Sequence, residues 1–131
     1  MRVISGKRVL LCVGGGIAGY KVPEVVRRLI ACGADVQVAM TAAAVHFITP
    51  LTLQTLSRRP VATNLLDAAD DAAIGHIRIA SEADAVLVAP ATADLIARMA
   101  TGQADDIVTA ALLATRAPVV VAPATRQKCC P

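Results

Sequence analysis

Aromatic residues are nearly absent from this sequence. It contains one Phe, one Tyr and no Trp, whereas 56% of its 131 residues are hydrophobic. The core must therefore be built from Val, Leu, Ile and Ala, which suits helices packed on a parallel sheet. The net charge is only +3, and the basic residues are spread along the chain without aromatic partners. This pattern argues against a nucleic-acid groove and is compatible with small anionic ligands.

Long hydrophobic runs and paired cysteines are also missing. No stretch is apolar for long enough to span a bilayer, and the amino terminus lacks an apolar core followed by a small-residue cleavage site. We therefore expect one cytoplasmic domain without a membrane partner. Cys12, Cys32, Cys129 and Cys130 form no CxxC pair or other metal-ligand spacing. We expect no metal site, and we interpret Cys12 and Cys32 as reduced structural thiols.

A glycine-rich stretch follows the first hydrophobic run. Residues 9–13 are continuously apolar, Gly14, Gly15 and Gly16 come next, and residues 21–30 have the spacing of an amphipathic helix. This order predicts a strand, a tight turn and the start of a helix. Glycines let backbone N–H groups approach a ligand, and a helix N-terminus carries a partial positive charge. The stretch therefore predicts a site for a phosphate-bearing cofactor.

Hydrophobic segments alternate with helical patterns along the whole chain. The periodicities predict strands over residues 8–13, 35–40, 85–89 and 118–122, and helices over residues 19–32, 41–47 and 51–56. Two further helices are predicted after Thr92 and after Asp105–Asp106, while residues 57–74 are the least regular segment and include an acidic cluster, which we interpret as a surface segment. The order predicts an α/β fold with a doubly wound parallel sheet and helices on both faces.

The type of cofactor depends on the end of the second predicted strand. Residues 14–19 match G-x-G-x-x-G, which after a strand suggests NAD or NADP, but such a site needs an acidic residue at the far end of the second strand to hold the ribose. Asp35 begins that strand, and Thr41 follows its far end. A hydroxyl there favours a phosphate, and so a mononucleotide such as FMN over a dinucleotide. A turn with only a structural role is the remaining alternative.

Further segments extend this pattern: Gly15-Gly16-Ile17-Ala18, Tyr20-Lys21-Val22-Pro23-Glu24, Gly33-Ala34-Asp35-Val36, Met40-Thr41, Phe47-Ile48-Thr49-Pro50, Gly75-His76-Ile77, and Ala89-Pro90-Ala91-Thr92-Ala93-Asp94-Leu95-Ile96-Ala97. Together they resemble the flavin-dependent cysteine decarboxylase family, and within it most closely the phosphopantothenoylcysteine decarboxylases. The resemblance covers nearly the whole chain up to Ala124. In combination these segments are far more specific than any one glycine motif.

The resemblance implies a Rossmann-like flavoprotein fold, bound FMN, and a homotrimer, or a dodecamer of trimers in the full-length protein, with active sites between subunits. It implies FMN-dependent decarboxylation of 4'-phospho-N-pantothenoylcysteine to 4'-phosphopantetheine in coenzyme A biosynthesis. In such enzymes the flavin oxidises the cysteine thiol to a thioaldehyde, CO2 is lost, and the electrons are returned. By position, the resemblance makes His76 catalytic. It assigns the FMN phosphate to Gly14, Gly15, Gly16, Ile17 and Thr41, and the flavin to Ala91, Thr92, Ala93 and Asp94.

The sequence departs from the family pattern in two places. Gly14 stands where the family commonly has a serine, so we expect one phosphate contact fewer. After Pro123-Ala124 the family's asparagine and its later cysteine loop are missing, so we expect residues 1–124 to be an incomplete FMN-binding domain and residues 125–131 a divergent tail. An impaired decarboxylase with exposed apolar sheet surface is the resulting expectation. The alternative is a non-catalytic flavin-binding or regulatory subunit.

Overall fold

A computed structural model describes residues 3–65 and 72–124 of the chain, without the side chains of residues 72–74. The expected acidic cluster at residues 67–71 and the expected tail at residues 125–131 lie outside the described residues. In the described part, β-strands alternate with α-helices and two short 3-10 turns. The strands are β1 (Arg8–Val13), β2 (Asp35–Met40), β3 (Ala85–Ala91) and β4 (Val119–Pro123); the helices are α1 (Val22–Ala31), α2 (Pro50–Ser57), α3 (Ala72–Glu82), α4 (Ala93–Ala100) and α5 (Ile107–Ala114).

The strands form one parallel sheet in the order β2-β1-β3-β4. β1 pairs with β2 from Arg8 opposite Asp35 to Val13 opposite Met40, and with β3 on its other side. The chain thus winds outwards in both directions from β1, which confirms the predicted doubly wound sheet. The point where the winding reverses lies between β1 and β3, and ligands bind beside such a point at the carboxyl ends of the strands.

Two apolar cores cover the two faces of the sheet. Successive strand residues point to opposite faces, so neighbouring residues of β1 enter different cores. Leu11 packs on one face with Val26 of α1 and Leu53 of α2. Leu10 packs on the other face with residues of α3, α4 and α5, including Leu95. The helices therefore lie on both faces, as the alternation of strands and helices predicts.

Several predicted boundaries differ from the structure for local reasons. The predicted helix 19–32 is a 3-10 turn, Ile17–Lys21, followed by α1, in which Pro23 occupies the first turn, where its missing N–H costs no helical hydrogen bond. The predicted helix 41–47 is only a 3-10 turn, Ala44–His46. β3 continues to Ala91, beyond the turn predicted at Pro90, because Ala91 still pairs with Pro123 of β4.

The two edges of the sheet differ in how they are covered. Beside β2, the backbone of Ala62 accepts a hydrogen bond from Met40 and donates one to Val38. β4 has a strand neighbour only on the β3 side within the described residues, and its residues are exposed, with Val120 59% exposed. One edge is thus protected by the chain itself, whereas the other presents an uncharged strand.

Candidate functional site

The carboxyl ends of β1, β2 and β3 open into a cleft of about 510 Å³. Three connecting segments form its walls, namely the glycine turn after β1, the turn after β2 and the start of α4. A fourth wall comes from the turn between α4 and α5. The lining residues are Gly15, Thr41, Ala42, Ala43, Thr92, Asp94, Leu95, Arg98, Asp105 and Asp106.

A row of backbone amide groups runs along the glycine turn. The N–H groups of Gly15, Gly16, Ile17 and Ala18 have no protein acceptor within the described residues, whereas the next amide, of Gly19, donates to the carbonyl of Gly16 at 2.9 Å. These donors begin the 3-10 turn that leads into α1, where the aligned peptide dipoles leave positive charge. Adjacent unpaired N–H groups of this kind suit a phosphate.

The three glycines of this turn do different things. The amide of Gly14 donates to the carbonyl of Pro90 at 3.1 Å, and a Cβ atom on Gly14 would lie 2.5 Å from that oxygen. A Cβ atom on Gly15 would lie 2.4 Å from the Cβ of Ala43, so Gly15 is where two turns pack backbone to backbone. A Cβ on Gly16 would meet only a methyl group of Thr92, at 3.4 Å. Gly14 therefore joins the turn to β3 and has no amide left for a ligand.

Thr41 and Thr92 place hydroxyl groups in the cleft. Oγ1 of Thr41, which is only 5% exposed, accepts a hydrogen bond from the amide of Ala44 at 3.1 Å. Oγ1 of Thr92 caps α4 by accepting from the amide of Leu95 at 3.2 Å. Both oxygens act as acceptors in these bonds, so each hydroxyl hydrogen can be donated to a ligand. The sequence prediction brought both threonines to this site, and both line the cleft.

Of the other residues predicted to contact a flavin, one lines the cleft and two do not. Asp94 lies in the first turn of α4, lines the cleft and has a side chain that is 82% exposed. Ala91 ends β3 and is fully buried in the apolar core. Ala93 begins α4 and is exposed, but it does not line the cleft. Of this predicted segment, only the two polar members therefore line the cleft.

Arg98 is a cleft residue that the sequence patterns did not single out. One of its Nη atoms lies 2.6 Å from a carboxylate oxygen of Asp105 and 2.5 Å from one of Asp106, and the other Nη lies 3.9 Å from Asp94. The hydrogen bonds to Asp105 and Asp106 raise the pKa of Arg98 further above its ordinary value. The same bond from Arg98 lowers the pKa of Asp105. Arg98 is thus held by ion pairs between the two carboxylates at the turn from α4 to α5.

His76 lies in the second turn of α3 and does not line the cleft. The last residue of α3, Glu82, pairs with Arg8 at the start of β1, so α3 runs antiparallel to the strands and its first residues point toward the carboxyl edge. The side chain is half-buried, and its Nδ1 atom is buried without a hydrogen-bond partner in the described structure. An imidazole nitrogen in this state is unusual, because buried polar atoms are normally paired.

Asp35 has a role far from this edge of the sheet. It starts β2 at the amino edge, where Arg59 donates two hydrogen bonds to its carboxylate, both at 2.7 Å, and Arg8 donates two more, at 2.9 and 3.2 Å. These bonds lower the pKa of Asp35, and the hydrogen bonding by Arg59 has the largest effect. The carboxylate therefore joins the amino ends of two strands to the segment after α2. It lies at the opposite end of β2 from the position where an acidic residue would hold a dinucleotide ribose.

Metal-ligand clusters and membrane-spanning helices are both absent from residues 3–65 and 72–124. No group of three or more His, Cys, Asp or Glu side chains there could hold a metal ion. Within the same ranges, no helix combines the length and the apolar character needed to cross a membrane.

Unpaired amides and hydroxyl groups at the carboxyl edge of a doubly wound parallel sheet define a class of α/β domains that bind phosphate-bearing cofactors. The chain belongs to the Flavoprotein family within this class, whose profile matches residues 2–129. This family membership confirms the predicted resemblance.

The relatives that the chain resembles include both sequences and solved structures. It is 57% identical over 128 residues to the coenzyme A biosynthesis bifunctional protein CoaBC of Vibrio cholerae, covering 98% of this chain and 32% of that protein. The FMN-dependent cysteine decarboxylase TvaF from thioviridamide biosynthesis has a TM-score of 0.81 and 32% identity, with 94% of this chain and 76% of that chain covered. A PPC decarboxylase variant complexed with pantothenoylaminoethenethiol has a TM-score of 0.72 and 26% identity, with 90% and 66% covered. The chain thus spans about a third of the length of its CoaBC relative.

Proposed function

We propose that this chain binds FMN in the cleft at the carboxyl edge of the sheet. The observation that carries the proposal is the row of amides from Gly15 to Ala18, which have no acceptor among the described residues and could donate hydrogen bonds to a terminal phosphate without a cationic side chain. The hydroxyl groups of Thr41 and Thr92 add two donors, and the lack of an acidic residue at the end of β2 disfavours a dinucleotide ribose. The FMN-dependent relatives with the same fold support the same cofactor.

We further propose that the reaction is decarboxylation of 4'-phospho-N-pantothenoylcysteine to 4'-phosphopantetheine, a carbon–carbon lyase step of cytoplasmic coenzyme A biosynthesis. CoaBC relatives and the structural likeness to PPC decarboxylase support this substrate. Bound FMN would supply reversible two-electron oxidation of the substrate's cysteine carbon–sulfur unit. The amides of the glycine turn would hold the FMN phosphate, Thr92 and Asp94 would contact the flavin, and His76 would accept or return the thiol proton.

The position of His76 bears on the assembly. Within the described residues, this histidine does not line the cleft of its own chain and its buried Nδ1 has no hydrogen-bond partner, which supports a site completed by a second subunit. This favours the homotrimer with sites between subunits, or its larger assembly of trimers. The same observation favours a second candidate, a non-catalytic flavin-binding subunit, for a chain that remains a monomer.

Flavin binding and turnover test the two candidates separately. The purified chain is titrated with FMN, its mass in solution is measured, and CO2 release from 4'-phospho-N-pantothenoylcysteine is followed with the wild-type chain and with His76→Asn. An FMN-binding oligomer that releases CO2 and loses this activity in the variant is the expected result. Tight FMN binding by a monomer without CO2 release would favour the non-catalytic subunit, and a chain that binds no FMN would overturn both.

A further inference from the structure

The wall of the cleft formed by α4 and the turn after it carries an unusual charge arrangement. Three carboxylates, from Asp94, Asp105 and Asp106, surround a single guanidinium group, from Arg98. The same cleft contains the amide of Gly15, part of the row that suits a phosphate. An anionic ligand and an acidic wall therefore share one cavity.

The structure holds Arg98 in place between the two helices. Its side chain is only 19% exposed, and one Nη atom bridges the carboxylates of Asp105 and Asp106 across the turn from α4 to α5. Asp106 cannot rotate away, because its carboxylate also caps α5 by accepting from the amide of Thr109 at 2.7 Å and from its hydroxyl at 2.9 Å. The carboxylate of Asp106 is thus held in place by contacts within the chain itself.

Removing the guanidinium would leave these carboxylates uncompensated in the cleft that also contains the amide of Gly15. At an effective dielectric constant between that of a protein surface and that of water, one charge acting on a phosphate dianion several ångströms away changes its affinity by roughly tenfold. An uncharged ligand of the same shape would not experience this change. Loss of Arg98 is therefore expected to weaken the binding of a charged ligand more than that of an uncharged one.

We propose that Arg98 is a positioning residue that neutralises the acidic wall and thereby makes the cleft selective for the phosphorylated flavin over riboflavin. This inference rests on the proposed binding of FMN. Arg98 acts by holding Asp105 and Asp106 in ion pairs, and the direct phosphate contacts come from the glycine turn. Asp105, whose side chain is 68% exposed, sets how much negative charge remains.

Paired titrations with FMN and riboflavin test this inference. Arg98→Gln is expected to weaken FMN binding roughly tenfold while changing riboflavin binding less than about threefold, and Arg98→Lys is expected to retain most of the preference for FMN. Adding Asp105→Asn to Arg98→Gln is expected to restore part of the FMN affinity. The difference between the ligands should shrink at high salt, since exposed charges are screened.

Two controls keep the result interpretable. Asp105→Asn alone leaves the Arg98–Asp106 pair intact and is expected to tighten FMN binding several-fold, which gives a test even if Arg98→Gln does not fold. Arg28→Gln, on the exposed face of α1, removes the same net charge away from the cleft and is expected to change neither affinity.

Different results would overturn the role of Arg98 and the binding of FMN. If Arg98→Gln and Asp105→Asn shift FMN and riboflavin affinities equally, or Asp105→Asn weakens FMN, the charge inference is overturned while FMN binding by the wild-type chain still supports the proposed function. If the wild-type chain binds neither flavin, the proposed function fails and this inference fails with it.

Discussion

The contact between Gly15 and Ala43 makes a quantitative prediction about the glycine turn. A Cβ on residue 15 would lie 2.4 Å from the Cβ of Ala43 and 2.8 Å from its carbonyl carbon, whereas carbon atoms in ordinary contact are about 3.5–4.0 Å apart. In Gly15→Ala, the turn after β2 must therefore move by about 1 Å or more. Ala44 at the next position is fully buried, so this displacement strains the core.

Overpacking of this kind costs about 1–3 kcal/mol of unfolding free energy. For a domain of this size, each lost kcal/mol lowers Tm by about 4 °C. The same displacement separates Thr41 from the amide row, and loss of one hydrogen bond to a charged phosphate weakens FMN binding by about ten- to a hundredfold. Thermal unfolding and fluorescence titration with FMN measure the two effects independently.

Gly16→Ala is the matched control, because its added methyl group would meet only the Thr92 methyl at an acceptable 3.4 Å. Gly16 has an extended backbone conformation, with φ −166°, that any residue adopts. We expect this variant to unfold within about 0.5 kcal/mol of wild type or to be slightly stabilised. A Gly15→Ala chain with the Tm and FMN affinity of the Gly16→Ala chain would refute the argument from close backbone packing.

Other parts of the chain support three further predictions. Because its pKa is lowered in the folded chain, Asp35 stabilises the fold above its ordinary pKa of about 4 and loses this effect as the pH falls through the lowered value. Asp35→Asn should therefore lower the free energy of unfolding by about 0.5–1 kcal/mol at pH 7, a modest amount because the pairs with Arg8 and Arg59 are partly exposed, and should not change it in strong acid. Unfolding measured at several pH values tests this prediction. Burial raises the pKa of the Cys12 thiol to about 12, so iodoacetamide at pH 8 should leave Cys12 unmodified in peptide mapping until the chain is unfolded. Val120→Lys places a charge on β4, which is the edge strand of the sheet within residues 3–65 and 72–124, and should reduce light scattering at high protein concentration.

Each of these expectations has an opposing result. Equal stability of the Asp35→Asn and wild-type chains at pH 7, or a difference that persists in strong acid, would contradict the ion-pair argument. Rapid alkylation of Cys12 in the native chain would mean that β1 opens readily. Unchanged scattering by Val120→Lys would show that the edge of β4 does not drive self-association.

The fold was largely predictable because its main signals are local. β1 and β2 have the predicted bounds, since Val- and Leu-rich runs between turn residues are long enough to identify a buried parallel strand. The predicted end of β3 at residue 89 was wrong, because Pro90 predicts a break whereas pairing with β4 extends the strand through Ala91. The predicted helix over residues 41–47 was too long, because an alanine-rich segment has high helix propensity whatever its packing, and the structure has only a 3-10 turn at Ala44–His46.

The candidate site divides in the same way between local and distant determinants. The glycine turn and Thr41 follow directly from strand ends, so their meeting at one edge could be inferred from sequence order alone. Arg98 could not be identified so simply, because its role depends on carboxylates seven and eight positions later that return to it only after the turn between two helices. An arginine followed by a glycine and two aspartates is also typical of an ordinary helix end and the next helix start. Only the packing of α4 against α5 shows that this arginine pairs with the two aspartates in the cleft instead of pointing into solvent. The same packing therefore determines the net charge of that wall of the cleft.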